Sequence, residues 1–144
     1  MILLDTNVVS ETLRVTPNPK LVAWLDAQRP ALIYVCAPVL AELYRGIARL
    51  PESRRKDHLS VAIERMQNEL FRNRILAFDI GAAKQYGDLS AIRERLGQPI
   101  GHMDAMIAAI ALCHRATVAT RDIRDFAGLG LELINPFEWT AAAR

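Results

Sequence analysis

Four acidic residues stand beside apolar segments of this chain: Asp5, Glu42, Asp104 and Asp122. Met1-Ile-Leu-Leu runs directly into Asp5, followed by Thr6 and Asn7. A buried strand does not end on a carboxylate by hydrophobic preference, whereas the carboxyl ends of strands in an open α/β sheet are where ligands and catalysis sit. Gathered by a fold, the four carboxylates would make a hard-oxygen cation site suited to Mg²⁺ or Mn²⁺, and the cation would carry the chemistry.

Each acid also has a plainer role to be weighed. Asp5 could cap the helix beginning near Val8, but Thr6 and Asn7 could already do so, which leaves Asp5 free for a ligand. Glu42 could pair with Arg45 at i+3 on an early helical turn. Gly46, one turn further on the same face, leaves space above Glu42. Asp104 follows Gly101-His102-Met103 and opens a helix apolar nearly all round. An unpaired buried carboxylate there would be costly, so a cation or charged partner is expected. Asp122 closes Thr117-Val-Ala-Thr-Arg, again strand and then acid. Asp125 competes with it, and its plainer role is to cap a turn before Phe126. Thr6 and Thr120 offer hydroxyls that could hold a metal-bound water. Of the three histidines, His58, His102 and His114, only His102 lies near an acid of the set.

The elements that must position these groups alternate short β-like runs with longer helical ones. Strands are predicted over 2–5, 32–37, 74–78, 117–120 and 131–134. Helices are predicted over 7–14, 19–27, from Pro38 to about Leu50, from Asp79 as N-cap through Leu96, and over 102–114. Leu59, Ile63, Met66 and Leu70 fall at spacings of four, three and four, one face of a further helix. The alternation implies an α/β fold with a mainly parallel sheet covered on both faces. No internal repeat or long linker divides the chain, so residues 1–144 read as one domain. The Ala-rich tail from Ala141 is expected to fray.

Composition narrows the class. Hydrophobic residues make up 51% and charged ones 24%, ordinary for a globular chain. Apolar stretches are broken by charges before membrane-spanning length, and the N-terminus has no basic run ahead of its apolar residues, so a cytoplasmic location is expected. Cys36 and Cys113 sit in apolar surroundings and read as two buried free thiols. The net charge is only +2, yet neutralising the four acids would leave a more basic remainder, with Arg45, Arg49, Arg54, Arg55 and Lys56 clustered. That pattern suits a polyanionic partner, against the plainer reading of a solvated helix face.

Leu4-Asp5-Thr6-Asn7, Ala41-Glu42-Leu43 with Gly46, His102-Met103-Asp104 with its Ala-rich helix, Ala119-Thr120-Arg121-Asp122 with Phe126, and Asn135-Pro136-Phe137 occur in an order and spacing that resemble the PIN-domain family. Within it, the pattern is similar to VapC-type toxins of toxin–antitoxin operons, FitB-like members in particular. The resemblance spans nearly the whole chain. It implies a PIN-like α/β/α sandwich of four to five strands and an Mg²⁺-dependent endoribonuclease, with Mn²⁺ a possible substitute. Asp5, Glu42, Asp104 and Asp122 would be its ligands and catalytic set, cleaving RNA by metal-activated water. Thr6, Asn7 and Thr120 would support them, and Arg45, Arg49 and Arg121 are candidates for RNA phosphate contact. The resemblance further implies a VapB-like antitoxin covering the site, a homodimer and a larger toxin–antitoxin assembly. The sequence contains no clear aromatic stacking array for base recognition.

Two other classes compete. In one, the acids are structural and the protein is a binding module with little or no cleavage. The 21–25 segment (Leu-Val-Ala-Trp-Leu) and the Leu59–Leu70 face would then be partner surfaces, although core is the plainer reading for each residue. In the other, Asp5 is the nucleophile of a phosphohydrolase. Asn7 in place of a second acid, and the lack of a Gly-rich phosphate loop, argue against it.

Overall fold

The computed structural model describes residues 1–142 of the chain. Five strands form one sheet: β1 Ile2–Leu4, β2 Ile33–Cys36, β3 Ile75–Leu76, β4 Thr117–Ala119 and β5 Leu133–Ile134. Their order is β3-β2-β1-β4-β5, and every pair is parallel. The helices are α1 Thr6–Thr12, α2 Pro19–Asp26, α3 Ala37–Ala48, α4 Arg54–Arg65, α5 Ile80–Arg95, α6 His102–His114 and α7 Ile123–Phe126. This is the α/β arrangement that the alternation predicted.

Strand β1 is central, and Leu3 and Leu4 are buried because helices cover both faces. Its register sets Leu4 opposite Ala119, so β1 and β4 end together. The ladder runs one step further, with the Asp5 N–H donating to the Ala119 carbonyl at 2.9 Å. Connections from β1 lead outward to β2 and β3 on one side, and β4 and β5 lie on the other. The order therefore reverses between β1 and β4, where a crevice opens at the carboxyl ends of the strands.

Helix α6 packs tightly because Ala105, Ala108, Ala109 and Ala111, with Ile107 and Ile110, are all fully buried. Small residues allow close approach to neighbouring backbone, and the helix occupies the predicted span. The 21–25 segment contributes to the core, with Leu21 and Trp24 buried and Val22 more exposed. Asp79 caps α5 as expected, its carboxylate accepting from the Ala82 N–H at 2.9 Å.

Other boundaries moved. The run from Leu59 to Leu70 is not one regular helix: α4 ends at Arg65, and Met66–Leu70 forms a π-helical turn closed by the Phe71 N–H donating to the Met66 carbonyl. The wider turn rotates Leu70 off the buried face, leaving it 56% exposed while Ile63 and Met66 stay inside. The third strand is two residues long where five were predicted, because Arg74 and its neighbours serve the preceding turn. The Arg74 guanidinium donates to the carbonyls of Pro30, Ile33 and Leu70 and lies 5.2 Å from the Phe71 ring centroid. Of the two cysteines, Cys36 is buried but Cys113 is exposed. Cys113 lies on the last turn of α6 beside Gly81 of α5. The expected fraying of the tail concerns Ala143 and Arg144 in part, and these lie outside the described residues.

Candidate active site

Asp5 occupies the position that joins β1 to α1, and it is the N-cap of α1. This corrects the expectation that Thr6 and Asn7 would cap instead. The chain turns into the helix one residue earlier than the sequence suggested, so Thr6 and Asn7 are already helical. Asp5 Oδ1 accepts from the Thr6 N–H at 2.7 Å. Its Oδ2 accepts from Asn7 Nδ2 at 3.1 Å and from the buried Thr120 hydroxyl at 2.7 Å. Only 4% of Asp5 is exposed.

The remaining groups are tied to Asp5 by short polar side chains. Asn7 Nδ2 also donates to Asp122 Oδ2 at 3.0 Å, bridging the acids that follow β1 and β4. Thr120 Oγ1 accepts from the Asp122 N–H at 3.0 Å. The Thr6 hydroxyl donates to Glu42 Oε2, joining the α1 and α3 arms of the site. Both threonine hydroxyls thus donate to carboxylates of the set. Glu42 makes no ion pair with Arg45 among the described residues. Asp104 enters from the first turn of α6, where the helix dipole favours negative charge. Gly101 lies beside it, where an added Cβ would come to 3.9 Å from Asp104 Oδ2, an ordinary contact.

The charges of this set act on one another. Burial raises the Asp5 pKa, opposed by its hydrogen bonds from Thr120 and Thr6 and reinforced by Glu42 and Asp122. Asp104 is pushed up to about 6, first by burial and then by the charges of Asp5, Asp125, Glu42 and Asp122. Carboxylates from four segments therefore act on one another, and burial together with the neighbouring charges opposes ionisation of Asp5 and Asp104. Hard oxygen donors without sulfur or imidazole match Mg²⁺ or Mn²⁺ in chemistry. Among the described residues, no three His, Cys, Asp or Glu side chains are already drawn close enough to hold an ion.

Asp125 is not the turn cap that was expected. Asp122 holds the N-cap position of α7, and Asp125 lies inside that short helix, where its charge bears on Asp104. The segment is anchored by the buried Arg93, which donates to the carbonyls of Asp125 (2.8 Å), Ala127 (3.2 Å) and Gln98 (2.7 Å). His102, first residue of α6, is engaged by α5: its Nδ1 lies 2.6 Å from Tyr86 Oη, with the rings stacked. Phe78 meets the Tyr86 ring edge-on at 6.0 Å. An aromatic group absent from the sequence as a motif is thus assembled from three separated positions.

A groove of about 1470 Å³ leads away from Thr6, Asn7 and Glu42 between α1, α3 and α4. Leu43, Ile47, Leu59 and Ile63 line its apolar part, and Arg14, Arg55, His58 and Arg121 supply basic groups. Arg45 and Arg49 are exposed on α3 and its end, outside this lining. Glu11 and Arg14 were not singled out from the sequence, although Asn7 and Glu11 have the i,i+4 spacing that shares a helix face, and Phe137 entered only as part of the Asn135-Pro136-Phe137 motif. Gly46 also lines the groove, and a Cβ added there would meet nothing within 4 Å. The space expected above Glu42 exists, but it does not require glycine. Gly46→Ala should therefore raise stability by ~0.5–1 kcal/mol through helix propensity and chain entropy. Urea unfolding reads this directly, and a loss of stability would show the gap to be needed.

Comparison with known proteins agrees with this architecture. The PIN domain family profile matches residues 2–130. The chain is 44% identical over 138 residues to the plasmid stability protein StbB of Pseudomonas syringae pv. tomato, covering 96% of this chain and 99% of StbB. It is 40% identical over 138 residues to the VapC ribonuclease Y4jK of Sinorhizobium fredii, with the same coverage of each chain. Among solved structures, FitAB bound to an IR36 DNA fragment superposes with a TM-score of 0.90 at 38% identity, covering 99% of this chain and 100% of the other. The fold, its crevice at the β1/β4 reversal and these likenesses together place the chain in the PIN-domain family, alongside its VapC-type and FitB-like members.

Proposed function

We propose that this protein is an Mg²⁺-dependent endoribonuclease, with Mn²⁺ able to substitute, and the toxin of a type II toxin–antitoxin system acting in the cytoplasm. The observation that carries the reading is the convergence of Asp5, Glu42, Asp104 and Asp122 on the crevice between β1 and β4, where burial and then the neighbouring carboxylate charges raise the pKa of Asp104 to about 6. Such a field is unfavourable alone and favourable around a divalent cation. The name of the Sinorhizobium relative, a VapC ribonuclease, supports the substrate class. No helix among the described residues is long and apolar enough to cross a membrane.

When bound, a divalent ion supplies Lewis acidity, making a water nucleophilic and stabilising charge on the phosphodiester oxygens. The protein's residues do the rest. Asp5, the buried member of the set, would hold the ion, oriented by Thr6, Asn7 and Thr120. Glu42, Asp104 and Asp122 approach from α3, α6 and the end of β4 and close the set from other sides. Asn7 fixes the spacing of Asp5 and Asp122, and Arg93 holds the segment beyond Asp122. A carboxylate not engaged in binding an ion is placed to receive the proton of the attacking water.

An antitoxin of VapB type is the expected protein partner, and the apolar groove beside Glu42 favours it as the seat. The structural relative in which FitAB is bound to DNA supports a toxin–antitoxin assembly, and a homodimer is expected within it. The groove also keeps alive a reading as a binding module with little cleavage. Purified protein decides between them: cleavage of single-stranded RNA should appear with millimolar Mg²⁺, vanish in excess EDTA and return with added Mg²⁺. Absence of cleavage by partner-free protein across several RNAs would favour the binding module.

A further inference from the structure

Helix α1 carries a second polar station one turn beyond the acids. Asn7, which bridges Asp5 and Asp122, and Glu11 lie at i and i+4 on one face, about 6 Å apart along the axis. Arg121 spans the two: its backbone N–H donates to Asn7 Oδ1 at 3.2 Å, and its Nη2 donates to Glu11 Oε2 at 3.4 Å. The Arg121 guanidinium lies over the Phe137 ring, 4.0 Å from the centroid. Phe137 is itself set by an Asx turn, in which Asn135 Oδ1 accepts its N–H at 3.0 Å behind the buried Pro136. This gives the Asn135-Pro136-Phe137 motif a structural role.

Glu11 is almost fully buried, with only 8% of its side chain exposed, and it also accepts from Arg14 Nη1 at 3.4 Å and from the Asn18 N–H at 3.0 Å. Burial alone would raise its pKa, but these donors and the charges of Arg14 and Arg121 bring it below its ordinary value. One carboxylate thus holds two guanidiniums and leaves the group with a net positive charge. Each guanidinium has five N–H donors, and each gives one bond to Glu11. Arg14 is 68% and Arg121 49% exposed, and both line the groove that starts at the acids.

We propose that Arg121 and Arg14 form a phosphate subsite for the RNA strand, one helical turn from the catalytic crevice, with Glu11 and Phe137 as positioning residues. The proposal rests on the ribonuclease reading. A strand laid across the carboxylates presents further phosphates at regular intervals, and the first station reached along α1 is this pair. The planar fork of arginine matches two phosphate oxygens at once. Stacking on Phe137 holds the plane of Arg121 while leaving its edge donors outward. Glu11 keeps both heads together before RNA arrives, lowering the ordering cost on binding.

The test uses the Asp5→Asn protein, a labelled single-stranded RNA 12-mer and fluorescence anisotropy between ~50 and ~200 mM salt, the span over which phosphate contacts are read. Adding Arg121→Met or Arg14→Met should weaken binding about tenfold, as expected for loss of a charged hydrogen-bonding contact. Each should also make the slope of log affinity against log salt shallower by about 0.7, one phosphate on a single strand. Phe137→Leu should lower both affinity and slope although no charge is removed, and Phe137→Tyr should restore them. Circular dichroism melts verify that each variant is folded. If the parent binds RNA and the arginine variants keep its affinity and slope, the subsite is wrong while the ribonuclease reading stands. Weaker binding with an unchanged slope would also overturn it, as would loss of an acidic peptide with RNA binding intact, which would assign the pair to a protein partner. Failure of wild-type and parent protein alike to bind RNA would remove both readings.

Discussion

Asp5→Asn should reduce RNA cleavage by on the order of 10³-fold or more, the scale of losing an essential catalytic group, while leaving the fold intact. The two effects separate because Asp5 has two kinds of work. As the N-cap of α1 it accepts from the Thr6 N–H, and asparagine is an equally good cap. As a charge, it lies in a crevice with Glu42 and Asp122, where burial already raises its pKa. Asparagine keeps the cap oxygen, and the Thr120 hydroxyl can rotate to accept from the new amide. The lost bond from Asn7 is offset by removal of a buried charge. The melting temperature in EDTA should therefore stay near that of the wild type or rise. Added Mg²⁺ should raise it for wild type and much less for the variant, because ligand binding to the folded state appears as stability. Cleavage within tenfold of wild type would remove Asp5 from the proposed site.

Stability without metal should fall as pH rises through about 6, and Asp104→Asn should reduce that fall. The folded protein raises Asp104 to about 6 from an ordinary value of 3.8, so it holds this proton more tightly than the unfolded chain. The stabilisation is complete below the ordinary value and is lost as pH climbs through the folded one. Asp5 is shifted in the same direction. Two units correspond to at most about 3 kcal/mol, and partial solvation of Asp104 reduces this. Glu11 acts in the opposite sense, since its pKa is lowered and its contribution disappears only as pH falls below its ordinary 4.5. Urea unfolding in EDTA at pH 5 and pH 7.5 therefore isolates the aspartates. Wild type should be the less stable at pH 7.5, and Asp104→Asn should show a smaller difference, the remainder belonging to Asp5. Mg²⁺ should stabilise wild type more at pH 7.5 than at pH 5, because the ion competes with protons for the same oxygens. A wild type that is flat or rising across this interval, in EDTA, would show that Asp104 does not ionise against the field of its neighbours.

Much of this protein follows from local pattern. Helix α6 matches its predicted span because Gly101 precedes it, His114 ends it and the run from Ala105 to Cys113 is apolar without interruption. The strands were located by their β-branched and apolar residues, and their parallel pairing by the alternation with helices. The acids were visible because a carboxylate at the end of an apolar run is anomalous under hydrophobic patterning alone. Leu70 was misplaced because a π turn changes the residues per turn, and no periodicity in side-chain type reports that change. Cys113 was placed inside because its neighbours are apolar, whereas its exposure depends on which face of α6 its neighbours cover. The choice of cap at Asp5 turned on a single residue of backbone geometry, which three adjacent capping residues left open.

What the amino-acid sequence determined by itself was the inventory: an α/β chain with one carboxylate at each of four apolar edges and a PIN-like order of motifs. These are local properties, governed by propensity, periodicity and the cost of burying charge. Only the tertiary structure decided which groups meet. The strand order reverses between β1 and β4, and so brings Asp5 and Asp122 to where both accept hydrogen bonds from Asn7 Nδ2. The same folding brings Phe137 beneath Arg121, 16 residues away in sequence, and Glu11 against it from 110 residues away. Contacts at such separations depend on chain connectivity and packing, so no local pattern in residue type records them.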